Sequence, residues 1–216
     1  MTKRIGKYHE IQIMNKRMRT DRGMETQLRI TAYHEAGHAV VALLLGIEIT
    51  EVFINRQQPD SGRVLFRVAS LYPQHRRASW VDAPFRWARL LSFDQRNAVF
   101  TLAGPLAEAK LLGKPLRTLG SIGDLEVVHQ LVRSTNTPSG QIHGVVDLGA
   151  NMFFERTIRR TRRILSRPPV WAAVTEVASN LLSWHRLTSD DVAEMVQWAF
   201  GGCRQMGLFA GGRMAP

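Results

Sequence analysis

Apolar and small residues occupy nearly every side of the stretch Thr26–Leu45, among them Leu28, Ile30, Ala32, Ala36, Ala39, Val40, Val41, Leu43 and Leu44. The stretch holds no proline, and Gly46 follows it as a stop signal. A helix that is apolar all round is a buried one. The pattern therefore predicts a central core helix of about five turns.

The period then changes. Ile49–Asn55 (ITEVFIN) is rich in β-branched residues, Gln57–Gly62 (QQPDSG) is turn-forming, and Arg63–Val68 (RVLFRV) is strand-like again. Two such runs around a Pro-Asp-Ser-Gly turn predict a hairpin or two short strands. Residues 69–88 carry Pro73, Pro84, Tyr72, Trp80 and Phe85, and read as an irregular loop or inserted flap. Ser92–Leu112 reads as a helix capped by Ser92 and stopped by Gly113, with a kink or break at Gly104-Pro105. Further helices are expected over Leu125–Ser134, Asp147–Leu165, Val170–Trp184 and Ser189–Phe200. Thr188, Ser189 and Asp190 offer capping chemistry for the last of them. Residues 1–24 are polar and basic and read as an arm, while the Gly-rich residues 201–216 read as a tail. The fold class expected is α+β, mainly α.

Composition narrows the field. The chain has 216 residues, 44% of them hydrophobic, which is a globular composition with ample length for a core. One cysteine, Cys203, excludes an intramolecular disulfide framework and a Cys-rich metal site. The longest unbroken apolar stretch, Ala39–Leu45, is far short of the roughly 20 residues a membrane span needs. A soluble, cytoplasmic protein is the expectation. The formal net charge of +11 reads first as solvated, arginine-coated faces. Nucleic acid, anionic lipid or an acidic protein would be the alternative partners. The same pair of readings applies to the run Arg156, Arg159, Arg160, Arg162, Arg163 and Arg167, and to His75-Arg76-Arg77 with Trp80 and Trp87.

Inside the core helix stands His34-Glu35-Ala36-Gly37-His38, an H-E-x-x-H pattern. Residues four apart lie on one helical face, so both imidazoles can converge on one zinc ion. Glu35, about 100° round the helix, would flank the metal without ligating it and act as general base on a metal-bound water. Zinc brings the pKa of such a water towards roughly 7. The bland alternative is a pair of hydrogen-bonded core histidines. Polar side chains buried in so apolar a helix would be costly without partners, and a metal supplies them. A third ligand is needed. The metzincin positions hold Val41 and Leu44, which removes that class. Glu108, Asp124, His129, His143 and Asp147 are all candidates, and chemistry alone does not choose among them. Asp124 also reads as an ordinary helix cap, and Glu108 as a group orienting a zinc histidine or as a packing glutamate.

AYHEAGHAVVALLLG (Ala32–Gly46) resembles the peptidase domain of FtsH-type AAA zinc proteases. ITEVFINRQQPDSGRVLF is similar to the strand-turn-strand that follows the zinc helix in that family, and LAGPLAEAKLLG (Leu102–Gly113) to its Gly-Gly-Arg-x-Ala-Glu-Glu helix. TLGSIGDLEVVHQLVRS resembles the stretch whose Asp is the family's third zinc ligand, which falls on Asp124. The resemblance implies a helical zinc-peptidase domain over residues 25–200, with a small β-sheet beside the zinc helix. It also implies a zinc endopeptidase that holds zinc by His34, His38 and Asp124, uses Glu35 as base and acts on unfolded or flexible polypeptides. An edge strand near Arg63–Val68 could then hold an extended peptide by strand addition. Family members carry transmembrane segments and an ATPase module; this sequence shows neither, so an unfoldase acting in trans is a candidate partner. The competing function is a non-catalytic peptidase-like scaffold that binds a protein or nucleic acid through its basic surface. Nothing in the sequence fixes the oligomeric state.

Overall fold

The computed structural model describes residues 3–68, 91–116, 123, 124, 126–128, 130 and 148–201, with side chains described from residue 23 and, in the last segment, from residue 152. Residues 69–88, His129, His143, Asp147 and the Gly-rich tail from residue 202 onward, with Cys203, lie outside the described residues.

The elements are α1 (Lys3–Leu44), β1 (Ile49–Asn55), β2 (Gln58–Phe66), α2 (Phe93–Leu112), α3 (Leu148–Leu165), α4 (Pro168–Trp184), β3 (Arg186–Thr188) and α5 (Ser189–Gly201). The fold is α+β and mainly helical, with one three-stranded antiparallel sheet ordered β2-β1-β3. No helix among the described residues is long and apolar enough to cross a membrane.

α1 is the centre of the core. From Thr31 to Leu45 nearly every residue is buried, with Ala36, Ala39, Val40, Val41 and Ala42 fully enclosed. Burying each valine stabilises the fold by about 1.5 kcal/mol or more. α2, α4 and the β1–β2 hairpin all pack on α1. The helix ends as its glycine predicts. Gly46 takes φ +71°, its amide donates to Leu43 O at 2.9 Å, and the Ile47 amide donates to Ala42 O at 2.8 Å. These are the two hydrogen bonds of a Schellman cap. At the other end α1 begins at Lys3, well before the Thr26 start read from periodicity. Backbone hydrogen bonds carry the helix through a polar segment in which no apolar period signals it.

α2 has both expected caps. The Ser92 hydroxyl accepts from the Gln95 amide, the Gln95 side chain accepts from the Ser92 amide, and Gly113 closes the helix at φ +62°. Of the kink or break expected at Gly104-Pro105, the break does not occur: one helix runs from Phe93 to Leu112. Proline removes one amide from the helical ladder, but this segment is buried on both sides of Pro105 and packing holds it helical. Lys110 ties the outer helices together. Its Nζ donates to Leu165 O at 2.6 Å and sits 4.1 Å over the Trp171 ring, joining α2 to the end of α3 and to α4.

The hairpin is longer than its composition suggests. Most of the QQPDSG run belongs to β2, and the tight turn is at Arg56-Gln57. The register absorbs the surplus, because Asn55 pairs Gln58 while Ile54 pairs Gly62. Pro59, Asp60 and Ser61 therefore form a three-residue bulge. β3 is a three-residue strand on the far side of β1, pairing Phe53 with Arg186 and Glu51 with Thr188. It then leads into α5 through a reciprocal cap. Thr188 Oγ1 accepts from the Asp191 amide, and the Asp191 carboxylate accepts from the Thr188 amide at 2.8 Å.

Candidate metal centre

α1 presents His34, Glu35 and His38 to a cleft of about 680 Å³. β2 forms one wall through Gly62, Val64 and Phe66, and α2 another through Phe100, Thr101 and Glu108. Asp124 reaches in from the helical residues beyond Gly123. Glu35 and His38 are both 7% exposed.

Three donor atoms converge. His34 Nε2 lies 3.1 Å from His38 Nε2 and 2.9 Å from Asp124 Oδ2, and His38 Nε2 lies 3.5 Å from the same oxygen. Zinc bonds of about 2.0–2.2 Å in a tetrahedron place ligand atoms roughly 3.3–3.6 Å apart. The triangle matches that size to within a few tenths of an ångström. Among the described residues these three form a group able to hold a metal ion. Of the other candidates for a third ligand, Glu108 lies beside His34 but not in the triangle; the remainder lie outside the described residues.

The outer nitrogens of both rings are held. His38 Nδ1 is 2.9 Å from the Phe100 carbonyl oxygen, which can only accept, so Nδ1 carries the hydrogen and Nε2 faces the triangle. His34 Nδ1 is 3.4 Å from Glu108 Oε2, again an acceptor. Metal-binding histidines are oriented in this manner, each donating its second N–H to a carbonyl or carboxylate.

Charge among these side chains is balanced by proton sharing. Burial alone would lower the His34 imidazole, but hydrogen bonds to Asp124 and then Glu108 outweigh it and hold the group at about 9. Burial would raise the Asp124 carboxyl, yet hydrogen bonds from His34 and His38 keep it well below the usual carboxylate range. Burial pushes the Glu35 carboxyl above its ordinary value, opposed by the charges of His38 and His34. Glu35 is thus a buried carboxyl group in the same cleft as the donor triangle, without belonging to it.

Three glycines let this happen. A Cβ on Gly104 would fall 2.2 Å from His38 Nε2, one on Gly37 2.6 Å from the Ala107 Cβ, and one on Gly62 2.6 Å from the Glu35 Cγ. So α2 meets α1 at its backbone beside Gly37, while Gly62 of β2 lies directly against the Glu35 and Thr31 side chains. Thr31 Oγ1 donates to Pro59 O at 2.5 Å and pins the β2 bulge onto α1. An aromatic wall completes the His38 end, with Phe100 5.2 Å from the His38 ring and Phe66 4.8 Å from Phe100. Sequence reasoning did not identify Phe100, Phe66, Gly62 or Thr31 as part of the site. Gly62 and Gly104 were visible only as turn and kink signals, and a backbone carbonyl such as that of Phe100 leaves no signal at all.

No model of a known protein family matches the chain. It is similar to part of two curated proteins named ATP-dependent zinc metalloprotease FtsH. One, from Neorickettsia risticii, is 31% identical over 116 residues, covering 54% of this chain and 16% of that protein. The other, from Caulobacter vibrioides, is 30% identical over 145 residues, covering 65% of this chain and 21% of that protein. The chain matches about a fifth or less of the length of these relatives. This distant, partial similarity points to metalloprotease-like chemistry, in agreement with a His-His-Asp group able to bind a metal ion.

Proposed function

We propose that residues 25–200 form a zinc-dependent endopeptidase domain that hydrolyses peptide bonds of unfolded or flexible polypeptides, flanked by a basic extension (1–24) and a tail (201–216). The observation that carries this reading is the convergence of His34 Nε2, His38 Nε2 and Asp124 Oδ2 beside a buried Glu35, in a cleft walled by an edge strand. His34, His38 and Asp124 would hold the zinc. Zinc bound there would supply Lewis-acid polarisation and bring the pKa of water towards roughly 7. Glu35 takes the proton from the attacking water and returns it to the departing amine. Glu108 and the Phe100 carbonyl keep the two rings aimed. β2, an outer strand of the sheet, offers its backbone edge to an extended substrate. A folded substrate does not fit that edge, so an unfoldase in trans belongs to the same reading, as does a soluble, cytoplasmic setting.

Glu35→Gln is the test. The variant should bind one zinc per chain and cleave casein at least a thousandfold more slowly than the parent. Undiminished casein cleavage by this variant would refute the mechanism. Zinc binding by a parent that cleaves no unfolded substrate, with or without an added ATPase, would favour the scaffold reading instead.

A further inference from the structure

The outer face of α3 carries a chemistry that the cleft does not use. Thr157, Ile158, Thr161, Ile164 and Leu165 are buried, while Arg156, Arg159, Arg160 and Arg163 are exposed. At about 100° per residue these four arginines fall within an arc of roughly 100°, opposite the buried side. From Arg156 to Arg163 the stripe is roughly 10 Å long at 1.5 Å per residue. The helix has a single carboxylate, Glu155, at the margin of the arc. Burial and then the nearby charge of Arg163 depress the Arg160 guanidinium, so the cations are close enough to repel one another. α3 packs on α2, and α2 lies between it and α1. The stripe is therefore separated from the metal group by a whole helix.

We propose that this arginine stripe is a binding surface for the phosphate backbone of nucleic acid, independent of the peptidase cleft. Every cation in it is an arginine, whose planar fork meets phosphate oxygens two at a time. A helix that docks on a lipid surface embeds its apolar face, and here that face is consumed by the core. What α3 presents outward is charge, which suits a phosphate lattice whose counterions are released on contact. Binding of this kind is sequence-independent and leaves the cleft open.

The test uses the full-length chain and a fluorescein-labelled 20-base-pair DNA duplex, titrated from 50 to 200 mM salt. The parent should bind with affinity that falls steeply with salt. Arg156→Gln/Arg159→Gln/Arg163→Gln should bind at least tenfold more weakly, with the slope of log affinity against log salt shallower by about 3, one for each phosphate contact removed. The triple lysine variant at the same positions keeps the charge and should retain most of the affinity. A control of equal charge, Arg29→Gln/Arg56→Gln/Lys114→Gln, should lose far less. Equal losses in the stripe and control variants, or no retention of duplex by the parent at 50 mM salt, would overturn the proposal. So would tighter binding to vesicles of 30% anionic lipid that the duplex fails to displace. Zinc content and casein cleavage should be the same in the parent and the stripe variant.

Discussion

His34 and His38 stand four residues apart on α1, so their rings share one helical face, with Glu35 beside them. Asp124 is different. It lies 90 residues from His34 in sequence, and the packed fold brings it, and not Glu108, into the donor triangle; Glu108 lies instead at the outer nitrogen of His34. Two predictions belong at this scale. Gly104→Ala should lower zinc from one per chain towards zero, because its methyl group would occupy the place of the His38 ring; metal analysis after gel filtration reads this. Glu108→Ala should weaken zinc binding roughly 10- to 100-fold, with Glu108→Gln milder, because an orienting partner is lost rather than a ligand; competition with a chromophoric chelator measures it. Protons report on the same site. His34 in the metal-free protein is held at about 9 and is protonated at pH 7. A zinc ligand must shed that proton, so zinc uptake at pH 7 should release about one proton per chain. Titration calorimetry in buffers of different ionisation enthalpy would show it, and release near zero would contradict the charge assignment.

Among the elements, those with strong local signals were legible: the all-round apolar α1 core, β1, and the capped ends of α2. Those decided by packing were not. Pro105 looked like a breaker and is carried inside a buried helix. The Pro-Asp-Ser-Gly run looked like a turn and is a bulge held by Thr31. β3 has three residues, too few for any alternating pattern, and exists through pairing with β1. Its junction with α5 gives a direct test. Thr188→Ala removes the hydroxyl that receives the Asp191 amide and should cost about 1 kcal/mol of stability, with activity intact; urea unfolding monitored by circular dichroism measures the loss.

For the molecule as a whole, the shared proton sets the pH range of the metal-free form. His34 is raised above its unfolded value, so its contribution is complete below about pH 6.5 and is lost as pH climbs towards 9. Asp124 is depressed, so its contribution is present above about pH 4 and is lost on acidification. Metal-free protein should therefore melt highest between about pH 4 and 6.5. Zinc-loaded protein should shift its optimum upward, since deprotonated ligands bind metal best. Thermal melts with and without chelator across pH 4–10 would show the two curves crossing.

α1, α2 and β2 meet at Gly37, Gly104 and Gly62, where no methyl group fits. Fitness in this chain is thus most fragile where there is least chemistry to alter. A saturation scan should find its deepest notches at those three bare backbone positions, ahead of most of the polar rim that surrounds them. Lineages that drift in sequence would keep them while exchanging nearly everything on the periphery.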